Sequence, residues 1–141
     1  MKPIRGRTVL RFEPAIAERI GYFFAEFAVL EWEIDFAIGA VLPHYELAEL
    51  LSRPRDTAPQ KMEVLRRVVG KLAPLSPLAV WLSSDAAEFQ SIVSFRNTLA
   101  HGLYGGTAPG LIRVTTQDKS RKLELTALSM DEWIERLEVL E

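Results

Sequence analysis

The sequence predicts a mainly α fold: an antiparallel helical bundle that ends in a β-hairpin and a terminal helix. Three observations carry this. Apolar residues recur at steps of three and four over two long segments, prolines fall at the ends of those segments, and beyond residue 110 the period shifts to two. The chain has 141 residues, 48% of them hydrophobic and 26% charged, so one domain (1–141) with a sizeable core is expected.

Residues 1–12 read as an N-terminal arm, in which Thr8–Phe12 has the pattern of a short edge strand. The helical core spans 13–104. Its first helix runs from Pro14, suited to a first turn, to about Leu42, where Pro43 stops it. Ile16, Ile20, Phe23, Phe27, Leu30, Ile34, Ala37 and Val41 form a full apolar seam along it. Tyr22, Ala25, Val29, Trp32 and Phe36 form a second seam on another side of the same cylinder. A helix of about 28 residues is roughly 42 Å long, and two seams require two packing partners. Either the rest of the chain covers both, or the second faces another subunit.

A short helix at about Tyr45–Leu51 and a loop through Arg53-Pro54-Arg55-Asp56 follow. A helix from about Pro59 to Leu72 turns Met62, Leu65, Val69 and Leu72 inward, and Pro74 and Pro77 then interrupt the chain. The last long helix covers about Leu78 to His101, with Gly102 where a stop is expected. Gly105, Gly106, Pro109 and Gly110 read as a loop. Leu111–Thr116 and Lys122–Thr126 then alternate as two strands of a hairpin (111–126) about a Gln117-Asp118-Lys119-Ser120 turn. The terminal helix (129–141) carries Trp133, Ile134, Leu137 and Leu140, and Ser129 with Glu132 fits a capping box at its start.

Composition narrows the chemistry. There is no cysteine, hence no disulfide, thiolate metal site or cysteine nucleophile, and only two histidines, His44 and His101, so no metal or cofactor is expected. The most apolar long stretch, Ile20–Leu42, carries Glu26, Glu31, Glu33 and Asp35, which hydrocarbon would not tolerate, and no signal-peptide run follows the basic start; a cytoplasmic protein without a membrane partner is expected. A net charge of -2 argues against a broad electrostatic grip on nucleic acid but not against a local one.

The long fourth helix breaks pattern at Arg96, which falls at a core-facing position among Leu82, Phe89 and Leu103 on one register and Leu78, Asp85, Ile92 and Leu99 on the other. A guanidinium keeps its charge, so it needs a carboxylate, a phosphate or several carbonyls beside it. Glu31, on the flank of the first helix's seam, is one such partner: an Arg96–Glu31 pair either braces the bundle or, with Glu31 as a supporting residue, orients a working arginine. Asn97 follows directly, and His101 lies four residues later on the same helical edge, where it serves either as a helix-end cap or as an acid–base group.

The run Phe95-Arg96-Asn97-Thr98-Leu99-Ala100-His101-Gly102 resembles the R-x4-6-H motif of HEPN domains, in the form with a polar residue after the arginine. The resemblance covers roughly residues 13–104. It implies a HEPN-like bundle, homodimerisation with the paired motifs in one composite cleft, and metal-independent endoribonuclease activity of the toxin or phage-defence kind, with RNA and an antitoxin protein as partners. It gives Arg96 and His101 catalytic roles and Asn97 a supporting one. A toxin subgroup modified by its antitoxin has a tyrosine two residues after the histidine; here Tyr104 comes three after. Imidazole suits removal of a 2′-hydroxyl proton near neutral pH, and arginine's planar fork suits charge building on phosphate oxygens. A non-catalytic RNA- or nucleotide-binding module and a purely structural helical domain are the competing classes.

The remaining candidates read as ordinary structure. His44 is a loop residue after Pro43. The clusters Arg66, Arg67, Lys71 and Lys119, Arg121, Lys122 fit solvated faces better than phosphate sites. Trp32, Trp81 and Trp133 read as packing groups, Gly105-Gly106 lacks the setting of a phosphate loop, and Ser83, Ser84 and Ser94 lack acid–base partners.

Overall fold

The computed structural model describes residues 13–41, 55–71 and 76–140. The Thr8–Phe12 strand, the Tyr45–Leu51 helix, His44, Leu72 and Pro74 lie outside them. Among the described residues are four helices, α1 (Pro14–Val41), α2 (Ala58–Lys71), α3 (Ser76–His101) and α4 (Ala127–Glu138), and three strands, β1 (Leu103–Ala108), β2 (Leu111–Thr115) and β3 (Lys122–Leu125). The strands form one antiparallel sheet in the order β1-β2-β3. α1 packs on α2 and α4, α2 on α3, and β2 against α3. No described helix is long and apolar enough to cross a membrane.

The main seam of α1 is the spine of the core. Ile16, Phe23, Phe27, Leu30 and Ile34 are buried, with Ile20 and Ala37 partly so, and Ile38 joins them. The second seam stays outside: Tyr22, Val29, Trp32 and Phe36 are exposed, the last two at 64% and 65%, and their rings stack at 5.4 Å. On α2, Val64 and Val68 are buried beside the expected Leu65 and Val69, while Met62 only flanks the core. The α2 start is held by Thr57, whose Oγ1 accepts from Gln60 N, while Gln60 Oε1 accepts from Thr57 N at 3.1 Å.

Two expectations need correction. The glycine-rich stretch after Gly102 is a strand, not a loop, so the hairpin is a three-stranded sheet. Tyr104 pairs with Val114 and Gly105 with Arg113, and a register shift between Gly106 and Ala108 leads into the Pro109-Gly110 turn. Glycines hide the period-two signal because they contribute no side chain to either face. Second, α4 is capped by Thr126 rather than Ser129. Ser129 N donates to Thr126 Oγ1 at 3.1 Å and Thr126 N to Ser129 Oγ at 2.9 Å, so Ser129 plays the reciprocal part expected of Glu132. Leu125 is the last strand residue and Thr126 follows it, so strand passes to helix without a spacer.

An aromatic column joins three helices. Phe23 of α1 meets Phe95 of α3 edge-on at 5.2 Å, and Phe95 stacks on Trp133 of α4 at 4.0 Å. The Arg136 guanidinium lies 4.0 Å over the Trp133 ring and reaches back to α3, donating to Glu88 Oε1 at 2.6 Å, Glu88 Oε2 at 2.9 Å and Ser91 Oγ at 3.1 Å. These bonds hold the Glu88 carboxyl below its ordinary range. Phe95→Ala is expected to lower unfolding stability by about 3–5 kcal/mol, because it empties the centre of this column. Leu128→Ala, at an exposed position, should stay within about 0.5 kcal/mol. Urea midpoints at constant slope measure both.

Candidate functional site

The end of α3 is fixed by a close approach. A Cβ on Gly102 would lie 2.4 Å from Val114 Cγ1 and 2.5 Å from the Thr98 carbonyl oxygen, so only glycine lets β2 pack against the helix end. Gly102 N donates to Thr98 O at 2.8 Å, which closes the last turn. His101 is therefore the final helical residue, exposed, beside the point where the sheet begins.

Alternation in the strands sorts the polar residues near it. Ile112 and Val114 of β2 and Leu123 and Leu125 of β3 face the core. Continuing that period, Thr116 and Arg121 belong to the inward face at the end of the hairpin, and Arg113, Thr115 and Lys122 to the outward one. Arg121 accordingly crosses to α3 and donates from Nη1 to Ser94 Oγ at 3.1 Å.

Together these elements enclose an open groove of about 470 Å³, lined on the α3 side by Gln90, Ser94, Asn97, Thr98, His101 and Gly102, and on the hairpin side by Thr116, Gln117, Asp118, Ser120 and Arg121. A smaller cavity of about 120 Å³ adjoins it behind Ser94, Thr98 and Arg121, with Phe95 and Trp133 of the aromatic column in its wall. The hairpin wall is preorganised. Asp118 Oδ1 accepts from Thr116 Oγ1 at 2.6 Å, Ser120 N at 3.0 Å and Ser120 Oγ at 2.7 Å, and Lys119 takes the left-handed φ of 60° that the turn requires. The bonds from Thr116 and Ser120 lower the Asp118 carboxyl to about 2. Arg121 pairs with no carboxylate among the described residues.

The residues singled out from sequence divide. Asn97 and His101 share the groove, as their spacing on one helical edge requires. Arg96, one residue before Asn97, is rotated about 100° around the helix and is not among the groove's lining residues. Its guanidinium carbon lies 5.9 Å from the Phe24 ring centroid and 5.6 Å from that of Phe27, and its Nη1 donates to Asn97 Oδ1 at 3.2 Å. Its buried Nε meets no acceptor among the described residues. The Arg96–Glu31 pair does not form: the aromatic faces of α1 take the cation instead, and Glu31 is half-buried without it. Tyr104 turns back toward the helix, its hydroxyl donating to the Leu99 carbonyl, and burial raises its phenol.

The two basic clusters also part. On α2, Arg66 and Arg67 both engage Glu63, at 2.9 and 2.7 Å, and hold its carboxyl below the usual range. On the hairpin, Arg121 joins the groove. The residue pattern alone places Arg121 on a solvated face and gives Ser94 no acid–base partner. The signal that finds them is the strand period counted back from Leu125 and Leu123, which puts position 121 on the α3 side. Among the described residues no three His, Cys, Asp or Glu side chains gather as a metal site. Comparison of the chain with known protein families, with characterised proteins and with solved structures finds no match in any of the three.

The Asp118 shift has a definite sign. Its folded carboxyl is depressed from 3.8 to about 2, so its contribution to the closed turn is fully present above 3.8 and is lost as pH falls through about 2. Carboxyl-carbon NMR is expected to give Asp118 a midpoint of about 2, and Ser120→Ala to move it upward.

Proposed function

We propose that the chain is a homodimeric, metal-independent endoribonuclease of the HEPN type, a toxin or phage-defence effector, working at the groove between the end of α3 and the β2–β3 hairpin. One observation carries the reading: His101 and Arg121 line the same open polar groove, with Asn97 between α3's edge and the hairpin. A titratable base beside a fixed cation is the minimum set for transesterification at phosphorus.

In this mechanism the His101 imidazole removes the 2′-hydroxyl proton. The 2′-oxygen attacks phosphorus, the bond to the 5′-oxygen breaks, and a 2′,3′-cyclic phosphate and a 5′-hydroxyl result. Arg121 neutralises the charge that builds on the non-bridging oxygens. Arg96, to which the family resemblance gives a catalytic role, acts here as a positioning residue: held over Phe24 and Phe27, it orients the Asn97 amide by the bond at 3.2 Å. The leaving oxygen takes its proton from the partner's imidazole in a dimer.

The exposed seam of α1, which contributes no residue to the groove, supports dimerisation. Aromatic side chains bury roughly 150–250 Å² each, and Tyr22, Val29, Trp32 and Phe36 are left 44–65% exposed along one stripe. With the exposed Ala25 and Ala28 between them, they offer an apolar strip of the order of half the ~800 Å² per partner of a standard interface. An antitoxin protein is the other partner class proposed.

One observation favours a second reading, a non-catalytic RNA-binding module: the Arg96 guanidinium is engaged by two rings and Asn97 rather than facing the groove. Single-stranded RNA incubated with the protein in EDTA separates the two. Cleavage to cyclic-phosphate ends is expected, falling by at least about 100-fold in His101→Ala and by about 10²–10³ in Arg121→Ala. Binding without cleavage supports the second reading, and equal cleavage by the wild-type and His101→Ala proteins excludes the site. Sedimentation should give about twice 15.9 kDa, and Trp32→Glu should return the protein to a monomer.

A further inference from the structure

We propose that the outer face of the three-stranded sheet is a docking track for the backbone of single-stranded RNA, leading to the His101 groove across the β2–β3 turn. The inference rests on the groove being where RNA is handled. A second open groove, of about 520 Å³, lies on that outer face, lined by Leu103, Gly105, Arg113, Thr115, Lys119 and Lys122 together with the edge of Tyr104. It and the His101 groove flank one ridge. Gly102 lines the first and Leu103 the second, Thr116 the first and Thr115 the second, and the turn gives Asp118 and Ser120 to the first and Lys119 to the second. A strand that leaves one groove over this ridge enters the other.

Charge identifies the occupant. Residues 103–125 hold four basic side chains against two acidic ones, whereas the whole chain is at -2. Glu124 is paired, accepting from Arg113 Nη2 at 3.1 Å across the β2–β3 pair, and Asp118 closes the turn through neutral donors and keeps its charge, so positive charge stays in excess. The Lys119 and Lys122 side chains make no hydrogen bond or ion pair among the described residues. The backbone holds Lys119 in place, with its N–H donating to Thr116 O at 2.8 Å. One cation on a preformed turn and one at the start of β3, beside the open backbone of Gly105 and the exposed Leu103, suit phosphates with an intervening ribose or base. The strand is single because in-line attack by a 2′-hydroxyl requires a nucleotide free of duplex geometry.

The probe is a labelled single-stranded RNA several times longer than the groove, followed by fluorescence anisotropy over a salt series in the His101→Ala chain. Lys119→Asn, which accepts left-handed backbone, combined with Lys122→Gln is expected to weaken binding. It should also reduce the slope of log affinity against log salt by about 1.4, or about 0.7 per lost phosphate contact. Lys122→Glu alone, at an exposed strand position, should weaken binding in the same direction. Affinity and slope unchanged in both variants would overturn the track. So would binding of an acidic polypeptide in a chain that does not bind RNA. Cleavage of a dinucleotide by the unaltered protein, assayed in parallel, tests the groove separately. If the dinucleotide is cut while the slope is unchanged, only the track fails. If nothing is cut but the slope falls, the track stands and the groove's cleavage role fails.

Discussion

The stacking of Phe95 between Phe23 and Trp133 is the contact on which the rest of the molecule depends. It is the point where α1, α3 and α4 meet, and it fixes the rotation of α3 about its own axis. Successive helical residues turn by about 100°. With Phe95 committed inward, Arg96 must lie against α1, where Phe24 and Phe27 present their rings, and Asn97 must emerge on the side of the sheet. His101, four residues beyond Asn97, emerges on that side too. Arg136 reinforces the setting by bridging the Trp133 ring to Glu88 and Ser91. The bridge is half-buried and still reached by solvent, so its worth lies in geometry more than in electrostatic energy.

The sheet is coupled to this column through Gly102. Because the glycine admits Val114 and the Thr98 carbonyl where a Cβ would stand, β1 starts one residue after the helix ends. The hairpin returns alongside the same turn of α3. The Thr126 cap then starts α4 directly after Leu125, which brings Trp133 back onto Phe95. Helix end, sheet and terminal helix thus form a closed circuit. The groove is the space left inside it between α3's polar edge and the hairpin's inward face.

Much of this was legible in the sequence, and the parts that were not have physical reasons. The long helices and their buried faces follow from apolar periodicity: Phe23, Phe27, Leu30 and Ile34 on α1, and Leu82, Phe89, Ile92 and Leu99 on α3, are all in the core. The exposed seam through Trp32 and Phe36 was legible as a stripe, though a periodicity does not say what covers it. β1 was not legible, since Gly105 and Gly106 carry no pattern. The Arg96–Glu31 pair failed because a cation near a core has two solutions, a carboxylate or an aromatic face. Spacing alone does not separate them when Phe24 and Phe27 lie within a turn or two of Glu31. In the sequence, Arg121 forms one basic run with Lys119 and Lys122. Runs average over faces, whereas a strand divides them, and the neighbours Arg121 and Lys122 end on opposite sides of the sheet.

That division bears on how a chain of slight negative charge can present a phosphate-binding surface. Coulomb interactions between exposed groups fade over about 8–10 Å at physiological salt, so what a polyanion meets is the local distribution rather than the total. The acids gather on α1, where Glu18, Glu26, Glu31, Glu33 and Asp35 outnumber Arg19, and on α4, where Asp131, Glu132, Glu135 and Glu138 outnumber Arg136. These two helices pack on each other, whereas the sheet packs on α3. On the hairpin, Glu124 offsets Arg113, and Lys119, Arg121 and Lys122 outnumber Asp118, whose hydrogen bonds come from neutral donors and leave its charge in place. On the proposed reading, a polyanion is repelled along α1 and α4 and attracted along the sheet. The separation of charge between these elements therefore gives the groove a direction of approach that the net charge conceals.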